Sequence, residues 1–373
     1  MPYIIAVLLG LFLAYANGAN DNFKGVATLF GTATSDYRGA LAWATVTTAL
    51  GSLTALVVAR GLLGTFSGRG LVPAEVVSDP RFAVAVALSA GVTVLLATWL
   101  GFPISTTHAL IGALLGAGWL ASPSGVNMAH LGGGFLVPLL ASPFIGALLT
   151  LALYPLLSSV RCRLGVEHET CVCVDRKVVA TLPGNIGAQQ AMAAVSLPTL
   201  RVGTVPSCML RYRGNLLGCS AESILGGLHY VSAGIVSFAR GLNDTPKIAA
   251  LLLIGSVLHP GAALVGVGAM IAIGGVLSAR RVAETMSHRV TRMNSGQGAT
   301  ANFVTGLIVV GASYLGLPVS TTHVSCGSLF GLGAATRQAR WATIGHIVLA
   351  WIITLPLAAA LAALVLAASR TVL

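Results

Sequence analysis

Charge is what this chain has least of. Asp, Glu, Lys and Arg make up 8% of its 373 residues, where soluble domains carry about 25%. That scarcity excludes an ordinary soluble domain. The 55% of hydrophobic residues lie in long runs between short basic loops, so the chain reads as an all-α polytopic membrane protein. Acids are scarcest of all within the apolar runs, where Asp21 and Asp244 stand alone. No basic run is interleaved with aromatics, so the net charge of +11 does not indicate nucleic acid. The arginines sit in loops, as the positive-inside rule produces. The first apolar run lacks the basic start and small-residue cleavage site of a signal peptide, and reads as a retained first helix. Cysteine is of little help. Cys162, Cys171, Cys173, Cys208 and Cys219 fall in one central segment and Cys326 in an apolar run. Their spacing matches no standard zinc pattern, and a cytoplasmic segment would hold no disulfides. Glycine, by contrast, is abundant at 45 residues, which suits close helix packing in lipid.

What is present organises around Asn17-Gly18-Ala19-Asn20-Asp21-Asn22-Phe23-Lys24. It recurs as Arg240-Gly241-Leu242-Asn243-Asp244-Thr245-Pro246-Lys247. Both copies read Gly-x-Asn-Asp-x-x-Lys and follow an apolar run. Charges at membrane depth cost about 2.5 to more than 10 kcal/mol each. A structural Asp–Lys pair on one helix face is permitted by the spacing, but apolar residues would serve structure at lower cost.

A first helix from Ile4 to Ala19 breaks near Asn17–Asn22 and resumes from Phe23 to Ala33. Spans follow over Ala40–Val58 and Phe82–Leu100, with Gly61–Arg81 a Gly-rich polar loop between them. Gly101-Phe102-Pro103-Ile104-Ser105-Thr106-Thr107-His108 opens an apolar segment to Trp119, too short for a comfortable span and suited to a re-entrant half helix. Leu131–Leu157 is a further span. Val160 to about Ser223 is richer in charge and reads as a small extramembrane segment, with weak strand signals at Cys171–Val174 and Lys177–Ala180. From Ile224 the plan repeats. A second break at Gly241–Lys247 leads to Ile248–Val257, and spans follow at Ala262–Leu277 and Ala301–Leu315. Arg280–Arg292 is a basic amphipathic loop segment. Gly316–His323 opens a second half helix, and Ile344–Ala367 is the last span.

Asp21 and Asp244 are 223 positions apart, and Pro103 and Pro318 are 215 apart. Two unlike motifs recurring in one order at nearly one offset indicate two repeats of about five membrane elements each, and an odd number inverts one against the other. The expected organisation is repeat A over 1–160, a central hydrophilic segment over 161–223 and repeat B over 224–373. Charge bias places the central segment and Arg280–Arg292 on the cytoplasmic side.

Pro-x-Ser-Thr-Thr-His appears twice. Pro suits the first turn of a helix, and the free N–H groups and dipole there attract anions. Two such half helices meeting at a repeat interface would cradle one oxyanion, with Ser105, Thr106, Thr107, Ser320, Thr321 and Thr322 as hydroxyl donors. Ser and Thr also simply cap helices. Asp21 and Asp244, with Asn20 and Asn243, are candidates to bind Na⁺ or carry a proton. Lys24 and Lys247 are placed to face the anion. His108 and His323 read equally as anion ligands, as proton relays or as partners that hold the motif. No carboxylate stands at a fixed spacing to orient a Ser–His pair, so an enzyme is not expected.

The residues Gly18-Ala19-Asn20-Asp21 with Phe30-Gly31-Thr32, and Ser237-Phe238-Ala239-Arg240-Gly241 leading into Asn243-Asp244, resemble the inorganic phosphate transporter (PiT) family. So do Pro103–His108, Pro318–His323, and the stretch from Arg280-Arg281-Val282 to Gln297-Gly298. The resemblance covers both halves but not the central segment. It implies a homodimeric symporter of inverted repeats in the cell (inner) membrane, carrying phosphate with H⁺ or Na⁺ and no cofactor. Some members carry sulfate, which makes a sulfate permease the first alternative and an anion channel a remote one. Phosphate, unlike sulfate, can donate hydrogen bonds and needs an acceptor, which Asp21 or Asp244 supplies. The chain departs from the family where Lys24 and Lys247 replace an Asn. It departs also at Leu242, where Ala is usual, and at the supporting residue Arg240, where His is common. A Lys ammonium has the charge of a bound Na⁺ and can take its place.

Overall fold

Lipid offers the backbone no hydrogen-bond partner, so apolar runs crossing it must satisfy their own N–H and C=O groups as helices. The chain follows that constraint in the computed structural model, which describes residues 2–58, 60–166, 170–178, 196–204, 218–253 and 258–372. The helices of the first half are α1 (Pro2–Asp21), α2 (Ala27–Gly31), α3 (Tyr37–Val58), α4 (Arg60–Phe66), α5 (Ala74–Ser78), α6 (Pro80–Trp99), α7 (Thr106–Ala121) and α8 (Val137–Arg163). Those of the second are α9 (Ala221–Leu252), α10 (Pro260–Ser278), α11 (Arg280–Glu284), α12 (Ser295–Tyr314), α13 (Thr321–Thr336) and α14 (Trp341–Val372). Among the described residues six stretches are long and apolar enough to cross a membrane, and the chain is a multi-pass membrane protein. Large apolar side chains such as Val57, Phe144, Leu148, Ile352 and Leu364 are exposed on its surface. In lipid that surface needs no further cover.

One compact unit comprises Met1–Pro155 with His229–Leu373, and a second comprises Leu156–Leu228. The second holds an antiparallel sheet of order β2-β1-β3, from β1 (Thr170–Val178), β2 (Ser196–Thr204) and β3 (Gly218–Ser220). Val174 pairs with Leu200. The strand expected at Cys171–Val174 lies in β1, whereas Val179, Ala180, Glu167, His168, Glu169, Cys208, Arg211 and Arg213 lie outside the described residues.

Three expectations need correction. The Gly61–Arg81 loop is partly helical, as α4 and α5. Leu62 and Phe66, one helical turn apart, are both buried, as is Val77 of α5, and that apolar spacing rather than the glycines decides the backbone. The Arg280–Arg292 segment is also helical, over α11 and a π turn at Thr285–Arg289, with Val282, Ala283, Met286 and Val290 buried. The second Asn-Asp-x-x-Lys copy does not break. The first ends α1 at Asp21 and gives way to a 3-10 turn at Lys24–Val26, while the second stays inside α9 with Pro246 in the helix.

The half helices appear as expected. Both α7 and α13 have 16 residues, about 24 Å at 1.5 Å per residue and short of the ~30 Å hydrocarbon core. Their packing exchanges the two halves of the sequence. A Cβ placed on Gly112 of α7 would lie 2.3 Å from the Leu355 carbonyl oxygen of α14, and one on Gly327 of α13 would lie 2.2 Å from that of Pro143 in α8. Likewise a Cβ on Gly18 of α1 would lie 2.0 Å from the Ile271 oxygen of α10, and one on Gly241 of α9 would lie 2.1 Å from the Thr48 oxygen of α3. At these four crossings a helix of one half packs on a helix of the other.

Gly112→Ala and Gly327→Ala should each destabilise the fold by about 1–3 kcal/mol, the usual effect of overpacking. Gly345→Ala, with open space around its Cβ position, should not. Thermal unfolding of detergent-purified variants checks this. Equal melting temperatures for all three would mean the helix contacts are not tight.

Candidate functional site

The two half helices start at the same place. The residues after Pro103 and Pro318 are not helical, and Ser105 and Ser320, both extended, then cap the first turns. Their hydroxyl oxygens accept from the His108 and His323 backbone N–H groups at 3.1 and 3.3 Å. The cap role foreseen for serine is therefore real, and it leaves each hydroxyl proton to donate elsewhere. The imidazoles of the two motifs meet, His108 Nδ1 lying 3.1 Å from His323 Nε2. His323 also packs on Trp351, whose indole N–H donates to the Pro103 carbonyl at 3.0 Å. Both histidines thus touch protein, and their contact fixes the two N-termini against each other.

The acid–base motifs line this junction. Asn17 Nδ2 lies 2.9 Å from Asp21 Oδ2, 3.0 Å from Thr106 Oγ1 and 3.3 Å from Asp244 Oδ2, and so links both carboxylates to a half helix. Asn20 donates to Thr98 and to the Phe102 carbonyl. In the other half Asn243 donates to the Val319 carbonyl at 3.2 Å and lies near Thr321 Oγ1. Lys24 Nζ is surrounded by Asn20 Oδ1 at 2.7 Å, Asp21 Oδ1, the Ile104 carbonyl at 2.8 Å and Thr322 Oγ1 at 2.7 Å. Lys247 Nζ meets the Val319 carbonyl at 2.6 Å, Thr107 Oγ1 at 2.9 Å and Asp244 Oδ1 at 3.6 Å. None of these polar side chains is more than 5% exposed.

Arg240 has a larger part than its supporting rank in the sequence suggested. It is fully buried and donates to Asn17 Oδ1 and Asn22 Oδ1, both at 3.0 Å, and to Thr48 at 3.3 Å. Its Nε lies 3.9 Å from Asp244 Oδ2 and has no hydrogen-bond partner. Asn17, Asn22, Thr48, Thr98 and Trp351 are site residues that sequence reasoning did not single out. Asn17 was within reach of it, since it stands one helical turn before Asp21, on the same face. The others come from distant elements and leave no local signal.

A model of the phosphate transporter family matches residues 17–362, which spans both acid–base motifs and both half helices. The chain belongs to the phosphate transporter family. A protein of Rhizobium meliloti (strain 1021) named "Probable low-affinity inorganic phosphate transporter" is 30% identical over 380 residues, 97% of this chain and 95% of that one. A solved structure titled "The sodium-dependent phosphate transporter" shares the fold, with a TM-score of 0.77 and 23% identity over 100% of both chains. In this family member the centre holds three cations, Lys24, Arg240 and Lys247, against two carboxylates, Asp21 and Asp244. Two helix N-termini add partial positive charge. Among the described residues no group of three His, Cys, Asp or Glu side chains is placed to hold a metal ion. Cys208 lies outside those residues, and of Cys171, Cys173 and Cys219 only the backbone is described.

Arg240→Met should destabilise the fold by about 3–5 kcal/mol, because Asp244 and two amide oxygens lose a buried cation. Arg240→Lys keeps the charge and should recover part of the loss. Unfolding of the purified variants measures both, and wild-type stability in Arg240→Met would show that the guanidinium does not hold the site together.

Proposed function

We propose that this chain is a secondary active transporter that moves inorganic phosphate through the cell (inner) membrane together with H⁺ or Na⁺. The observation that supports it best is the charge at the junction. Two helix N-termini converge there with three cations against two carboxylates, all shielded from solvent. A buried site with surplus positive charge and a ring of hydroxyls suits an oxyanion. The anion is held between the half helices by the hydroxyls of Ser105, Thr106, Thr107, Ser320, Thr321 and Thr322. Lys24, Lys247 and Arg240 supply charge beside it, and His108 with His323 fixes the cradle. Asp21 and Asp244 accept the protons that phosphate, unlike sulfate, presents. They are also the groups able to carry a coupled proton, or with Asn20 and Asn243 a sodium ion.

The exchanged packing of the halves supports an inverted repeat, the plan by which one site can open to either side. The basic central segment and the Arg280–Arg292 helix then face the cytoplasm, and the likeness to the family suggests a homodimer. A sulfate permease is the second reading, since a cradle of donors alone would also take sulfate.

Uptake of labelled phosphate into proteoliposomes, with sulfate as competitor, separates the two. Saturable, concentrative phosphate uptake that excess sulfate leaves unchanged is the expected result, and uptake of sulfate at equal or higher affinity would sink the phosphate reading. In the same assay Thr107→Val and Thr322→Val should each weaken phosphate binding by about 1–3 kcal/mol, the cost of an unpaired charged acceptor. Unchanged half-saturation and rate in both would remove the hydroxyls from the cradle.

A further inference from the structure

We propose that Lys24 and Lys247 are tethered occupants of two cation sites, so that their ammonium groups stand where a coupled sodium ion would bind and make transport independent of sodium. The proposal deepens the transport reading, and its binding arm stands without it.

The shell around Lys24 is the first ground. An ammonium has three N–H donors, yet four oxygens surround Lys24 Nζ, from Asn20, Asp21, Ile104 and Thr322. One is a carboxylate, one a carboxamide oxygen, one a backbone carbonyl and one a hydroxyl. A surplus of acceptors over donors, all oxygen and bearing a single negative charge, matches what a hard cation takes as ligands. A salt bridge alone would need Asp21 and no more.

Duplication is the second ground. The Ile104 and Val319 carbonyls lie in the non-helical segments ahead of the half helices, outside any helical ladder, and each accepts from a lysine ammonium. Lys24 takes the carbonyl of its own half and the hydroxyl of Thr322 from the other. Lys247 takes Val319 of its own half and Thr107 from the other. Ile104 and Val319 are 215 positions apart, as are Thr107 and Thr322. The two shells are therefore the same shell built twice, each from one acid–base motif and both half helices. The second is looser, with Asp244 Oδ1 at 3.6 Å and the Asn243 carboxamide oxygen accepting from Ser313 instead.

A charge fixed to the chain does not cross the membrane and cannot couple to a sodium gradient. It supplies the field that a bound ion would bring, and leaves uphill transport to a group that loads and unloads, such as a proton on Asp21 or Asp244. Replacing the lysine with the shorter Asn removes the ammonium, keeps an oxygen in the shell and opens room for an ion.

The test uses the full-length protein, wild type, Lys24→Asn and Lys247→Asn. Melting temperature is read in choline chloride and in sodium chloride, and uptake of labelled phosphate and labelled sodium is read in proteoliposomes. Sodium should leave the melting temperature of the wild type unchanged and raise that of the variants, Lys24→Asn the more. Wild-type phosphate uptake should be equal in sodium and choline and bring in no labelled sodium. In a variant that transports, sodium should raise phosphate affinity by about fivefold or more, the scale of coupling between adjacent sites. Sodium entering with phosphate in the wild type overturns the proposal, and so does a sodium effect on neither variant's melting. Should both variants fail to fold, the wild-type flux decides alone. Absence of phosphate uptake under every gradient removes the transport reading and leaves the melting temperatures to decide this one.

Discussion

The Lys24 ammonium and its oxygen shell fix most of what surrounds them. A charge shielded from solvent in a medium of low dielectric needs its partners in place, or the cost of burying it is not recovered. All four of those partners set backbone positions. Asn20 and Asp21 hold the end of α1, the Ile104 carbonyl holds the non-helical approach to α7, and Thr322 holds the first turn of α13. One cation thereby ties the break in the first helix to the starts of both half helices. Arg240 does the same from the second half, reaching Asn17 and Asn22 on either side of that break.

Glycine makes this network possible. Donors and acceptors on different helices meet only if the helix axes come close. At Gly18, Gly241, Gly112 and Gly327 the neighbouring helix presents a backbone oxygen where a side chain would stand. Small residues at the crossings are how helices associate in lipid, where there is no hydrophobic drive between them. The polar centre and the glycine crossings are therefore one design constraint, and the 45 glycines are as much a property of the site as of the fold.

Much of this was legible because membrane sequences carry few signals and each is strong. The two half helices, their serine-capped starts and the duplicated acid–base motif all stood out as polar residues in apolar surroundings. What stayed hidden was non-local. Lys24 meets a hydroxyl 298 positions away and Lys247 one 140 positions away, and a motif read in its own segment cannot show that its lysine completes a shell in the opposite half. Arg240 was ranked low for the same reason, since its partners Asn17, Asn22 and Thr48 belong to the other repeat. The Gly61–Arg81 stretch was misread as a loop because glycine and proline were weighed above the spacing of Leu62, Phe66 and Val77.

The failure of the second copy to break is the most instructive difference, because the two motifs are so nearly alike. After Asn-Asp the first copy continues Asn22-Phe23-Lys24-Gly25 and the second Thr245-Pro246-Lys247-Ile248. Gly25 gives up about 1 kcal/mol of helix propensity, and its Cβ position would lie 2.2 Å from Ser237 Oγ and 2.8 Å from Ser237 N, so the chain there is drawn onto α9. Asn22 still bonds the Gly18 carbonyl through its backbone N–H at 3.0 Å, and its side chain ties this end of α1 to Thr45 and Arg240. Pro246 has the larger helix penalty of the two, but it removes only one backbone donor, and a helix packed among others tolerates that in a membrane. Ile248, buried in the core, favours continuing where Gly25 favours stopping. The same acid and base are thus presented from an unwound turn in one half and from an intact helix in the other. The unwound turn is the one that lets its lysine gather four oxygens, while the intact helix keeps Asn243 turned toward Ser313 and leaves Lys247 with a looser shell.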